Sequence, residues 1–221
     1  MKQFKAMNVQ SREVLIESGT AKLEGELSIP ENASGLVLFA HGSGSSRHSP
    51  RNRFVAEALQ AAGLVTVLAD LLTREEELLD ARTGSLRFDI EFLTKRVVAL
   101  TDWITSFDPI AGLSVGLFGA STGAAAALAA AALRPEIVKA VVSRGGRPDL
   151  AGDALYSVHQ PTLLIVGGRD PQVLELNRRA LEKLAGENRL EVIPGASHLF
   201  EEPGALEQVA RFARDWLLDH M

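Results

Sequence analysis

SVGLFGASTGAAAALAAAAL, Ser114 to Leu133, changes character at its midpoint. A short apolar run of strand length comes first, and from Thr122 an alanine-rich run of helix length follows. At the junction Gly119, Ala120, Ser121, Thr122 and Gly123 spell G-x-S-x-G. A serine in this place has two readings. It caps the helix with its hydroxyl, as serines commonly do, or it occupies a sharp turn as a nucleophile, with small neighbours that let backbone and side chain pass. A match of five residues arises by chance, so the flanking sequence has to decide.

Outward from this junction, short apolar stretches alternate with segments of helical period. REVLIES (12–18) and AKLEGELSIP (21–30) read as an antiparallel pair around a turn at Ser18 to Thr20. GLVLFAHGSG (35–44) is a continuous apolar run of the kind buried on both faces. A helix follows from after Pro50 to Gly63, then strand 64–72, helix 87–107, strand 113–121 and helix 122–134. Strand 138–146, a short polar excursion, strand 161–170, helix 173–186, strand 189–197 and helix 204–219 complete the order. Such alternation implies parallel pairing through right-handed crossovers. The expectation is an α/β fold with about eight strands, helices on both faces and no large cap, formed by residues 1–221 as a single domain. The irregular segment between Leu71 and Arg87 is expected to hold a short acidic helix, with Arg74, Glu75, Glu76 and Glu77 on its solvated face.

Composition removes several function classes. A net charge of −5 over 221 residues argues against a nucleic-acid binder, which needs a basic face to displace counterions. With no cysteine, neither a thiolate nucleophile nor a thiolate zinc site can be built, so covalent chemistry falls to Ser, Thr, Lys or a carboxylate. No apolar run approaches transmembrane length and the N-terminus has no long apolar core, so a soluble, cytoplasmic protein without a membrane partner is expected, as monomer or homodimer.

A serine hydroxyl needs a base, itself oriented by an acid. In open parallel sheets the reacting groups sit just beyond strand ends, and with this turn they follow in the chain order serine, acid, histidine. PTLLIVGGRDP puts Asp170 beyond one apolar strand, and RLEVIPGASHLF puts His198 beyond the next. His48, His159 and His220 lie elsewhere, and His41 precedes the serine in sequence. Asp149 and Asp153 are rival acids, and Asp170 also suits a helix cap; its place one strand before His198 favours it. For a developing oxyanion, one donor is expected from the Thr122 N–H at the start of the helix. The other is expected from FAHGSGSS, through the N–H of Ser43 or of Gly42. That glycine-rich loop, 41–47, also admits a phosphate or nucleotide reading, although GSGSSR has Arg47 where a dinucleotide fingerprint wants its third glycine.

HGSGSS, GASTG, GGRDP and GASHLF stand in an order and at spacings that resemble the α/β-hydrolase superfamily from about Val14 to Leu218. Within it the compact chain looks like the dienelactone-hydrolase-related group, and SRGGRPDLAG and HLFEEPGALE look like small hydrolases sometimes joined to phosphoribosyltransferase domains. Dienelactone hydrolase itself uses a cysteine where this chain has Ser121, so the resemblance implies a small carboxyl ester as substrate rather than the lactone. It implies a Ser121, Asp170, His198 triad, an acyl-enzyme intermediate and an oxyanion held by the Ser43 and Thr122 amides, with neither a metal nor an organic cofactor required. The competing expectation is a noncatalytic hydrolase-like domain that binds a small molecule or a partner protein. Gly42, Arg144 and Phe200 are candidate substrate contacts. Arg144 and Arg147 suit a substrate carboxylate, though ordinary ion pairs with the 28 acidic residues are the favoured reading. Phe200 and Leu199 either line an acyl pocket or anchor their loop in the core.

Overall fold

A computed structural model describes residues 8–221. Two N-terminal strands, β1 (Val9–Ser18) and β2 (Ala21–Pro30), form an antiparallel hairpin. Six more follow: β3 (Gly35–Ala40), β4 (Leu64–Ala69), β5 (Ser114–Ala120), β6 (Val138–Arg144), β7 (Thr162–Gly167) and β8 (Asn188–Ile193). They make one eight-stranded sheet in the order β1-β2-β4-β3-β5-β6-β7-β8. From β4 to β8 all pairing is parallel, and β2 meets β4 antiparallel. The eight strands and the mostly parallel sheet agree with the alternation in the sequence. Every residue of β3, β4 and β7 is buried, which is why these strands read as unbroken apolar runs.

Helices cover both faces. On one, α1 (Pro50–Gln60) and α6 (Ala205–His220) bring Val55, Leu59, Val209 and Leu217 over Phe39 and Phe118. On the other, α3 (Ile90–Ser106) and α4 (Thr122–Leu133) bring Val97, Leu100 and Leu128 over Leu38 and Leu117. Ten α4 residues, Thr122 to Ala131, are buried. Side chains of one carbon let that helix lie close under the sheet, and a large residue there would hold it off. Two further helices are α2 (Arg74–Thr83) and α5 (Pro171–Leu181). No helix among the described residues is long and apolar enough to cross a membrane.

Three local expectations change. The polar excursion after β6 is a 3-10 helical stretch, Pro148–Ser157, with Pro148 opening it and Leu155 buried as its anchor. A break in helical geometry at Gly152 (φ 58°) hides it from any periodicity. The fifth helix stops at Leu181 rather than Gly186. The acidic helix is present, but its charges are not merely solvated. Thr73 and Glu76 form a reciprocal N-terminal box, Glu76 Oε1 accepts from Arg96 Nη2 at 2.6 Å, and Glu77 borders a cavity.

Candidate active site

Because β3, β5, β7 and β8 run parallel, the residues following them collect at one edge of the sheet. Ser121 stands between β5 and α4 with φ 52° and ψ −123°. Among the described residues only Asn32, Ser121 and Phe200 are non-glycine residues with positive φ. A side chain in that region costs about 1–3 kcal/mol and persists only where its surroundings impose it. Here three backbone bonds do so. Ser121 N–H donates to Arg144 O (3.3 Å), while Ser121 O accepts from Ala124 (3.1 Å) and Arg147 (3.0 Å). Ser121 occupies the N-cap position of α4 but makes no side-chain cap bond, and its hydroxyl has no hydrogen-bond partner among the described residues. The cap reading of this serine therefore fails.

The flanking glycines are sterically required. A Cβ on Gly119 would lie 2.4 Å from Ala124 Cα, and one on Gly123 would lie 2.3 Å from Ala40 O and 2.4 Å from His41 O. A Cβ on Gly42 would meet Ser121 Cβ at 2.7 Å, which places the loop after β3 directly against the serine. Gly123→Ala must push α4 away from the β3 end, since both obstacles are backbone atoms. It is expected to cost about 3 kcal/mol in urea unfolding; a cost within experimental error would show that the turn is not packed as described.

Asp170, directly after β7, does two jobs. It caps α5 by accepting from Val173 N–H at 3.3 Å, and its Oδ2 lies 2.7 Å from His198 Nδ1. An ionised carboxylate only accepts, so Nδ1 carries the proton and Nε2 is left free to accept one. His198 sits on the turn after β8, braced where Ser197 N–H donates to Glu202 Oε2 at 2.9 Å and Arg169 N–H to Ala196 O at 2.9 Å. The Ser197 N–H holds the Glu202 carboxyl below its usual range. His198 comes up beside Gly145, where an added Cβ would lie 3.6 Å from His198 Cε1. Gly145 in turn directly follows Arg144, whose carbonyl binds Ser121 N–H. Asp149, the rival acid, is instead paired with Arg147 at 2.8 Å.

Ser43 and Thr122 are neighbours, their hydroxyls 3.0 Å apart. Neither backbone N–H donates to another group among the described residues. His41, which sequence order sets aside as a base, orients this loop. Its Nδ1 lies 3.0 Å from Gly42 O, and its Nε2 accepts from Leu71 N–H at 3.0 Å, so the proton is on Nδ1. Ser45 N–H also reaches Gly42 O, at 3.2 Å. In a planar trans peptide the Ser43 N–H points opposite to that carbonyl, so two donors on Gly42 O fix its direction. A cavity of about 340 Å³ opens from here, bounded by Ser43, Thr122, Leu71, Leu72, Leu93 and Arg87. Arg87 is clamped by Asp80, which accepts its Nε at 2.6 Å and its N–H at 3.0 Å. Burial alone would raise the Asp80 carboxyl, but these bonds and the Leu86 N–H outweigh it and hold it low. Burial and the Asp70 charge push Glu77, on the same wall, upward.

Burial holds the His41 imidazole below its ordinary value, against the raising influence of Gly42 O and Asp70. The folded state thus prefers neutral His41, while the unfolded chain takes up its proton near pH 6.5. The resulting stability is whole above about pH 6.5 and drains away as pH falls below it. His41→Leu is expected to lower Tm at pH 7.5 by leaving the buried Leu71 N–H without its acceptor, and to flatten the fall in Tm between about pH 7 and 5.5. An unchanged slope would mean that His41 is not the group being titrated.

The substrate-contact candidates separate. Gly42 lies against Ser121. Phe200 is 2% exposed and packs in the core with Val209 and Ile165, so it anchors its loop and does not line the cavity. Arg147 has the ion pair expected of it. Arg144 does not: it is 8% exposed and pairs with no carboxylate among the described residues. The described residues contain no group of three or more metal-ligating side chains.

Residues 23–218 match the model of a family described as the dienelactone hydrolase family. A dienelactone hydrolase from Anabaena variabilis is 60% identical, with TM-score 0.95 over 96% of this chain and 99% of that one. Est1E from Butyrivibrio proteoclasticus shares the fold, with TM-score 0.79, 18% identity, and coverage of 94% of this chain and 98% of its own. A Mycobacterium tuberculosis protein named provisionally as a phosphoribosyl transferase is 57% identical over 213 residues, 96% of this chain but 47% of its own length. The chain thus spans about half the length of the curated relatives it matches.

Proposed function

The chain belongs to the dienelactone hydrolase family, with the α/β-hydrolase fold, and on that footing we propose that it is a serine hydrolase of small carboxyl esters. The observation that carries this reading is Ser121, held in a strained turn with its hydroxyl uncommitted, at the same sheet edge as the hydrogen-bonded Asp170–His198 pair.

Ser121 Oγ attacks the ester carbonyl carbon as His198 Nε2 takes its proton. Asp170 keeps the Nδ1–H tautomer in place and stabilises the imidazolium that forms. The carbonyl oxygen gathers charge and is met by the Ser43 and Thr122 N–H groups, aided by the N-terminal end of α4. The alcohol leaves with the proton from His198. Water, deprotonated by the same imidazole, then attacks the acyl-serine, and the acid is released as His198 returns the proton to Ser121 Oγ. The chain has no cysteine, so Ser121 supplies the nucleophile and depends fully on its base. No metal or organic cofactor enters this scheme.

The 41–47 loop is a poor phosphate cradle. Arg47 N–H donates to Asp70 Oδ1 at 2.6 Å, Ser45 N–H is turned to Gly42 O, and the Asp70 carboxylate would repel a phosphate. These bonds support the ester reading over the nucleotide reading. The transferase name belongs to a relative with as much sequence again outside the matched region, and it is not carried to this chain.

The test is intact-protein mass spectrometry after a fluorophosphonate, on wild type and on Ser121→Ala. One adduct on wild type and none on the variant is expected; no labelling, or labelling that survives the substitution, overturns the mechanism. His41→Leu is expected to lower kcat about 10–100-fold with little change in KM, because a misdirected Ser43 N–H weakens transition-state binding more than substrate binding. An effect confined to KM would count against a role in directing that donor.

A further inference from the structure

Arg144 is the last residue of β6, and alternation along the strand puts it on the same face as Ala140 and Val142, towards α1 and α6. Its Nη1 is buried with no hydrogen-bond partner. Arg96, equally buried at 7% exposure, shows what such a group ordinarily has: Glu76 at 2.6 Å and Ser18 O at 3.2 Å. A buried cation without a counter-charge is strongly unfavourable. Burial, and then the charge of Arg51, push the Arg144 guanidinium down to about 10. Two guanidiniums therefore share a region in which neither neutralises the other.

Arg51 lies in the first turn of α1, and its Nε is likewise buried without a partner. Its one carboxylate contact among the described residues is Glu201, 3.6 Å from Nη1 and 66% exposed, easily displaced into water. Next to it Asn52 is 2% exposed, and its Oδ1 also lacks a partner. The N-terminal end of α1 adds positive potential to the same place. Arg144 adjoins Gly145, which packs against His198 and Phe200, so the cluster lies behind the segment carrying the imidazole.

We propose that Arg51 and Arg144 form a binding site for a carboxylate, separate from the oxyanion donors at Ser43 and Thr122. A planar carboxylate matches the guanidinium fork and would supply the counter-charge this face lacks. It comes either as a free small acid or as a second carboxylate on the ester itself; the latter source rests on the ester-hydrolase reading, and binding as such does not.

The experiment melts the Ser121→Ala protein in roughly 0.1 M sodium acetate and in sodium chloride of equal ionic strength. Acetate is expected to raise Tm by about 2–4 °C over chloride, and the difference is expected to vanish in Arg144→Met and in Arg51→Gln. Equal melting in the two salts, or a response that survives both substitutions, overturns the site. On the Ser121-containing protein, kcat/KM is then compared for p-nitrophenyl hydrogen succinate and p-nitrophenyl acetate. A ratio of the two that falls about tenfold in Arg144→Met assigns the carboxylate to the substrate. A constant ratio, with the acetate response lost, assigns it to a free acid. Failure of the wild type to hydrolyse either ester would sink the hydrolase reading and leave the melting result to decide the site.

Discussion

Ser121→Gly is expected to abolish ester hydrolysis and, at the same time, to make the protein more stable. The serine sits at φ 52° and ψ −123°, and its hydroxyl has no hydrogen-bond partner among the described residues. Removing the side chain relieves about 1–3 kcal/mol of backbone strain. Against this stands about 0.5–1 kcal/mol of extra chain entropy that glycine brings to the unfolded state. The net gain is about 1 kcal/mol, or about 2–4 °C in Tm for a domain of this size. Ser121→Ala keeps the strained backbone and is expected to melt near the wild type. Both variants should lose about four to six orders of magnitude in kcat, because the residual rate comes only from the oxyanion donors and binding. Melting by calorimetry and steady-state hydrolysis decide the matter together. A glycine variant that is less stable than wild type, or that retains activity, would show that the turn stores no strain for catalysis. This is the trade between stability and activity expected where function demands an unfavourable local geometry.

Asp170→Asn separates the two jobs of one side chain. Asparagine caps helices as well as aspartate, so the bond from Val173 N–H is kept and Tm should stay within about 2 °C of wild type. Its carboxamide cannot reproduce the carboxylate that holds His198 Nδ1–H and stabilises the imidazolium. The proposed triad predicts a fall in kcat of about 10³–10⁴. Asp170→Ala should lose the same activity and, in addition, about 1 kcal/mol of cap stability. Steady-state hydrolysis by Asp170→Asn at the wild-type rate would reduce Asp170 to a helix cap.

The alternation of apolar runs was legible because parallel strands covered on both sides must be apolar throughout, as β3, β4 and β7 are. The 3-10 stretch Pro148–Ser157 was not, since its turns are interrupted at Gly152 and leave no run of a single period, with Leu155 buried as its anchor. His41 was set aside as a base because it precedes the serine, but its place in the glycine-rich turn after β3 was legible. Its part depends on Leu71, which follows β4, coming within 3.0 Å, a contact between strand ends that sequence order does not contain. Arg144 misled for the opposite reason: with so many acids in the chain an ion pair looked ordinary, yet no carboxylate among the described residues pairs with it, and Glu201 on that face contacts Arg51 instead.

By itself the sequence determined the order of strands and helices, the glycine–serine–glycine junction, and the succession of Ser121, Asp170 and His198 beyond strand ends. These follow from side-chain periodicity and from the steric demands of near neighbours, which are local. The tertiary structure alone decided that Ser121 is forced to positive φ by backbone bonds with Arg144 and Arg147, and that Asp170 meets His198. It also decided that Arg144 is buried without a counter-charge. Each of these joins residues from different crossovers of the sheet. Which groups then meet, and which are sealed from water, depends on how helices and strands pack together in space.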